Sequence, residues 1–305
     1  MNLEVKIGRL RLKNPVIVAS GTFGPGYGGL VDINSLGALV LKTITLDERC
    51  GNPPPRIAET ASGMLNSIGL ENKGVEDFIK NKIAKLKGIK APLIASIAGN
   101  DKKEYAALAK RLGKVGAIAA LEINLSCPNV KHGAHEGLIA QDADATYAVV
   151  RAVRGAVKIP LIAKLAPNVA DISGIAIAAQ NAGADAVLIA NTVAAMAVDI
   201  ETGRPKLGNI TGGLSGPAIK PIALKLVWDA YNKIDIPIIG CGGIMDTEDA
   251  LEFILCGAQA VQVGTAIFVD PKTPVEIVKG INKYCLKNKI KDIGRLVGSL
   301  KIGAL

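Results

Sequence analysis

The chain has 305 residues, 49% hydrophobic but only 3% aromatic, so its core must be built from Ala, Ile, Val and Leu, the palette of buried parallel strands rather than of aromatic-rich binding modules. A net charge of +9 suits small anionic ligands; the densest basic stretches, 80–90 and 283–291, carry apolar residues at helical spacing and no aromatic platform, which argues against nucleic acid. Five cysteines, at 50, 127, 241, 256 and 285, form no CxxC pair or metal-like spacing and point to a reducing, cytoplasmic compartment, while residues 1–11 lack an apolar signal segment and the most apolar stretch, 172–198, is broken by Gln180, Asn181, Asp185 and Asn191, which excludes an ordinary membrane span.

Residues 3–13 alternate apolar and polar positions around Gly8 and predict a small β-hairpin that plugs the N-terminal end of the domain. The first strand, 16–20, is followed only by a short segment, 31–36, before a second strand at 38–43. A long connection, 44–73, leads to a helix at 75–88, a strand at 93–99, a helix at 102–112 and a strand at 121–127. A second long connection, 128–144, precedes a helix at 145–157, a strand at 161–167, a helix at 172–182 and a strand at 186–192. The third, 193–216, leads to a helix at 217–233, a strand at 238–244, a helix at 247–257, a strand at 260–265 and a last helix at 274–288. All eight strands are near-continuously apolar, so both faces are covered. Eight strand-then-helix units without a linker predict an α/β fold, a TIM (β/α)8 barrel forming one domain over 1–305, with a short N-terminal β-hairpin. The three long connections all follow strand C-termini, where barrel enzymes place their chemistry.

Nearly every strand ends in a polar group that packing would not select: Ser20, Lys42 with Thr43, Asn124 with Cys127, Lys164, and Asn191 with Thr192. Two lysines aimed at one barrel mouth favour an anionic ligand. Strands seven and eight end in Gly242-Gly243 and Gly264-Thr265, where barrels commonly bind phosphate on backbone N–H groups. Cys127 stands at a strand end before Pro128, among hydrogen-bonding side chains, and can serve as a general base; the other four cysteines read as core filling or incidental. The GxGxxG match at 24–29 precedes too short a helix for a dinucleotide-binding unit. His132 and His135, the only histidines, make a weak metal site, so no metal is expected.

Five runs, ASGTFG at 19–24, GNPPPR at 51–56, MLNSIGL at 64–70, NLSCPNV at 124–130 and TGGLSGPAIKP at 211–221, resemble class 1 dihydroorotate dehydrogenases in order over essentially the whole chain, the last run looking like the class 1B subgroup. The resemblance implies oxidation of dihydroorotate to orotate on FMN, in pyrimidine biosynthesis. Cys127 would remove the proton from C5 while hydride leaves C6 for flavin N5. Asn66, Asn124, Asn191 and Thr192, with Lys42 and the backbone of Ser67, Ile68, Gly69 and Leu70, would cradle the substrate, since amides satisfy both donor and acceptor edges of a pyrimidinedione. Lys164 resembles the lysine beside flavin N1, and Ser20, Lys42, Thr43, Asn124, Ala190, Gly216, Gly242, Gly243, Gly264 and Thr265 match FMN-contacting positions. Ser96, where relatives carry Asn, is carried as a further contact, and the loop 131–144 reads differently from the usual sequence.

The chain lacks an iron–sulfur cysteine set and a second nucleotide-binding domain, so the resemblance also implies a separate electron-transfer subunit with FAD and a [2Fe–2S] cluster. Electrons would pass through it to NAD, in a heterotetramer built on a homodimer of catalytic subunits. Three other readings stand beside this one: a related pyrimidine-handling flavoprotein such as the reductase domain of dihydropyrimidine dehydrogenase, a flavin-free phosphate-binding barrel lyase or synthase, and a non-catalytic interaction subunit.

Overall fold

The computed structural model describes residues 1–24, 29–125 and 139–303. The alternating segment at the start pairs antiparallel as β1 (Val5–Ile7) and β2 (Leu10–Leu12), turning at Gly8 with φ +57°. The remaining strands follow as β3 (Val16–Val18), β4 (Ala38–Val40), β5 (Ile57–Thr60), β6 (Gly63–Asn66), β7 (Leu93–Ile97), β8 (Ile118–Asn124), β9 (Leu161–Lys164), β10 (Ala186–Ile189), β11 (Val193–Met196), β12 (Val198–Asp199), β13 (Arg204–Pro205), β14 (Thr211–Ser215), β15 (Ile238–Cys241) and β16 (Ala258–Val263). Eight of them close into a parallel barrel in the order β3-β4-β7-β8-β9-β10-β15-β16, and these are the eight continuously apolar segments. The expected TIM barrel with its hairpin is therefore present. Strands such as β7, β9 and β10 are buried at every position, as burial of both sheet faces demands.

The helices are α1 (Gly74–Asp77), α2 (Lys102–Leu112), α3 (Ala143–Ala156), α4 (Ile172–Asn181), α5 (Lys220–Tyr231), α6 (Thr247–Leu255), α7 (Ala266–Val269) and α8 (Thr273–Lys287). Four start on an aspartate whose carboxylate accepts backbone N–H bonds: Asp101, Asp142, Asp171 and Asp246. The helix expected at 75–88 is irregular instead, a single α turn followed by π and 3-10 turns to Leu86. No side chain caps its start at Lys73, and Lys82 and Lys85 bring like charge onto one face.

The hairpin packs at the barrel's N-terminal end. Val5, Ile7, Leu10 and Leu12 are buried, Arg9 Nη2 donates to the Lys158 carbonyl at 2.9 Å, and a Cβ at Gly8 would lie 2.7 Å from Cβ of Asp185 at the foot of β10. The opposite end carries a feature that the pattern of apolar runs did not announce. The connections 44–73 and 193–216 meet as a four-stranded antiparallel sheet, β11-β14-β6-β5, with Asn66 opposite Gly213 and Met64 opposite Ser215.

Candidate active site

The C-terminal strand ends and the antiparallel sheet enclose a cavity of about 370 Å³. Its lining gathers Ser20, Lys42, Thr43, Asn66, Ile68, Gly69, Leu70, Asn124, Lys164, Ala190, Asn191, Thr192, Gly242, Gly243, Gly264 and Thr265, sixteen of the positions singled out in the sequence. On one side, Asn191 Nδ2 donates to Asn124 Oδ1 at 3.3 Å and Thr192 N donates to Asn191 Oδ1 at 2.9 Å. Asn124 is held from behind by Tyr105, which is fully buried and donates its hydroxyl to the Asn124 carbonyl at 2.8 Å. Asn66 reaches the same wall because β6 pairs with β14, and its Nδ2 donates to the Gly213 carbonyl at 3.4 Å. A Cβ at Gly213 would overlap Thr192, so this glycine lets the threonine stand against the sheet.

Residues 67–70 form a tight turn under the same wall. Gly69 and Leu70 lie consecutively in the left-handed region, at φ +73° and +59°, and a Cβ at Gly69 would come within 2.6 Å of the Asn52 backbone nitrogen. A left-handed leucine is a costly conformation that persists only where its surroundings impose it, and such positions concentrate at binding sites.

Beneath the cavity lies a polar network inside the barrel. Glu122, on β8, is completely buried; Ser96 Oγ donates to its Oε1 at 3.0 Å, Gln262 Nε2 to its Oε2 at 2.8 Å, and Lys164 Nζ stands 3.8 Å from Oε1. Thr43 Oγ1 and Ser96 Oγ share a further hydrogen bond of 2.9 Å. A carboxylate so deep is tolerable only when paired and hydrogen-bonded, which this one is on both oxygens. Cys241, the thiol among the cavity-lining residues, is pushed above its ordinary pKa by burial, an effect that the Lys164 charge only partly opposes, so it stays protonated at neutral pH.

At the far end of the cavity, Gly242 and Gly243 follow β15 with φ of +126° and +75°. A Cβ at Gly243 would meet the backbone nitrogen of Lys220 at 2.8 Å and the Gly216 carbonyl oxygen at 2.9 Å. The turn is braced from outside the cavity: Asp249 accepts from Met245 N at 2.8 Å and from Lys220 Nζ at 2.5 Å. The Asp249 hydrogen bond raises the Lys220 pKa, against a smaller opposing effect of burial. Lys220 is thus committed to the brace, and the glycine backbone is what faces the cavity.

A comparison with known proteins places this arrangement. The family profile for dihydroorotate dehydrogenase matches residues 2–285. The chain is 51% identical over 301 residues to a protein of Desulforamulus reducens named dihydroorotate dehydrogenase B (NAD(+)), catalytic subunit, covering 98% of each chain. Proteins with the same name from Caldicellulosiruptor bescii and Geobacter metallireducens are 50% and 48% identical, over 99% of this chain and 100% and 99% of theirs. The chain belongs to the dihydroorotate dehydrogenase family.

Three positions carried over from that family do not line the cavity. Ser67, carried over for its backbone, donates its N–H to the Arg56 carbonyl at 2.7 Å; Ser96 is spent on Thr43 and Glu122; Gly216 lies behind Ser215, whose hydroxyl accepts from Thr265 Oγ1 at 2.8 Å. Cys127, His132 and His135 lie outside the described residues, as do Pro25 to Gly28 of the glycine-rich match. The structure adds cavity residues that sequence reasoning missed, among them Met64, Ser215, Cys241, Met245, Gln262 and Phe268, together with Glu122 below them. For Glu122 and Gln262 a signal existed. Each is a long polar side chain that is fully buried within a largely apolar barrel strand, where packing alone does not select one.

Proposed function

We propose that this chain oxidises dihydroorotate to orotate with FMN as its resident cofactor, as the catalytic subunit of an enzyme that delivers electrons to NAD. The observation that carries the reading is the convergence in one cavity of three asparagines and Thr192 on one wall, two lysines, and a positive-φ glycine turn at the far end. Family membership speaks against a flavin-free lyase or synthase.

The residues fit FMN. Gly242 and Gly243 lie at positive φ in a turn packed too closely against Ile219, Lys220 and Gly216 for a side chain, which leaves backbone to meet a phosphate, and Lys164, which lines the cavity, would supply the cation that a reduced flavin ring needs. Bound FMN supplies the hydride acceptor, flavin N5. The chain's own groups do the rest. Cys127, two positions beyond Leu125, takes the proton from C5 of dihydroorotate. Asn66, Asn124, Asn191 and Thr192 present donors and acceptors to the ring's amide edges without adding a negative charge beside the substrate carboxylate, and Lys42 offers that carboxylate a cation. The turn at 68–70 presents backbone groups to the same ligand, and Ile57, Met64 and Ser215 of the sheet β11-β14-β6-β5 wall the cavity beside Asn66.

The word "subunit" in the relatives' names supports a second chain in the working enzyme. Among the five cysteines of this chain none is spaced for an iron–sulfur cluster, so we assign FAD and [2Fe–2S] to that partner, in a heterotetramer around two catalytic chains. The test is an anaerobic absorbance titration of the purified chain. Dihydroorotate should bleach the visible flavin band, and NAD alone should restore it only slowly. A flavin that dihydroorotate leaves unbleached would overturn the substrate, and rapid re-oxidation by NAD would overturn the need for a partner.

A further inference from the structure

The chemistry above leaves one buried group in the cavity floor unused. Gln262, in the body of β16, is fully buried and lines the cavity, yet its Oε1 has no hydrogen-bond partner, the one such buried side-chain atom among the described residues. The orientation of its amide is fixed by Glu122. A carboxylate can only accept, so Nε2 must face it, and the opposite orientation would set a carbonyl oxygen against a buried negative charge. Ser96 and Lys164 hold Glu122 in turn, so the orientation of the Gln262 amide is held by a chain of contacts. A buried acceptor without a donor is costly, and the cost is relieved by a ligand that brings an N–H to it.

Position decides which N–H that is. The ligand chemistry that matches an isolated carbonyl acceptor next to a lysine cation is a cyclic imide, with its N–H flanked by two carbonyl oxygens. Both flavin and orotate contain one. The asparagine wall lies on β6, on β8 and at the end of β10, whereas Gln262 lies on β16, two residues before the Gly264-Thr265 end and on the strand paired with β15 and its glycine turn. That places it on the cofactor side. We propose that Gln262 Oε1 accepts the imide N–H of the flavin ring and that Glu122 is the positioning residue that aims it.

The proposal rests on the FMN reading and is tested separately from it. The chain is stripped of flavin and refilled with FMN or with 3-methyl-FMN, whose imide carries no hydrogen, and both affinities are read from flavin fluorescence. Wild type should hold 3-methyl-FMN at least about tenfold more weakly than FMN, because the methyl group leaves the acceptor unsatisfied. In Gln262→Met, which keeps the volume and removes the acceptor, FMN should weaken and the ratio should fall to about one. A purely structural role for Gln262 would lower both affinities together. Equal affinities in wild type, a measurement that needs no variant to fold, would overturn the proposal while leaving the flavin reading intact, and so would a ratio unchanged in Gln262→Met. If N-methylation of orotate rather than of flavin proved to be what Gln262→Met tolerates, the acceptor would belong to the substrate and the assignment would fall. A chain that takes up neither flavin would remove the cofactor reading and this proposal with it.

Discussion

At the foot of β10, Asp185 accepts from Arg154 Nη1 at 2.9 Å and from Leu161 N at 2.9 Å, and Arg154 also donates to the carbonyls of Val157 and Ile159. Past the other end of the same strand, Asn191 and Thr192 open onto the cavity. The two barrel ends thus treat polar groups oppositely. At the N-terminal end, side chains are spent on the backbone and on each other under the hairpin; at the C-terminal end, they are braced from behind and left facing a cavity. The contrast teaches that one end carries stability and the other carries chemistry, as the direction of barrel strands allows.

That division can be broken residue by residue. The largest effect belongs to the cavity end: Cys127→Ala should retain FMN and lose about 10²- to 10⁴-fold in turnover, read from steady-state rates and bound flavin together. Normal turnover would remove its role as the base. Lys164→Ala crosses the division, because it strips the cation from the cavity and leaves Glu122 buried without its ion pair. We expect a stability loss of about 3 kcal/mol in urea unfolding, at the lower end for a broken buried pair because Ser96 and Gln262 still satisfy the carboxylate. Adding Glu122→Gln should restore much of that stability without restoring flavin affinity.

Gly8→Ala is the matching change at the opposite end. A left-handed backbone and a Cβ 2.7 Å from that of Asp185 should cost about 1–3 kcal/mol in unfolding and leave kcat/KM unchanged. A fall in kcat/KM without loss of stability would contradict the division. The smallest effect concerns pH. The Lys220 pKa is raised above its ordinary value of 10.5, so the stabilisation from its pair with Asp249 is fully present below that value and is lost only as pH rises through the higher folded value. Thermal melts of wild type and Asp249→Asn should therefore differ by a constant amount across the neutral range and converge only in strong alkali.

Legibility in the sequence followed the same physics. Barrel strands bury both faces and so read as unbroken apolar runs. The strand-end lysines, asparagines and glycines were visible because packing does not choose them. The antiparallel sheet was not visible. Its strands are short, rich in Gly and Ala, and partly exposed, so β5 and β11 carry no core signature, and what makes them strands is pairing with distant segments. Ser96 illustrates a subtler limit: its position was legible, but its hydroxyl is consumed by Glu122, a residue that a list of strand ends passes over.

The pairing of Asn66 with Gly213 spans 147 positions of chain. Had two free segments to find each other over that distance, the loss of chain entropy would weigh heavily on so small a sheet. Both connections are anchored on the barrel, 44–73 between β4 and α1 and 193–216 between β10 and α5, so in the folded chain their ends are held near one another. The sheet's persistence is inherited rather than intrinsic. Circular permutation that cuts the chain within 193–216 should leave the barrel folded but detach the roof of the cavity, because the strands above hold together only while both of their anchors do.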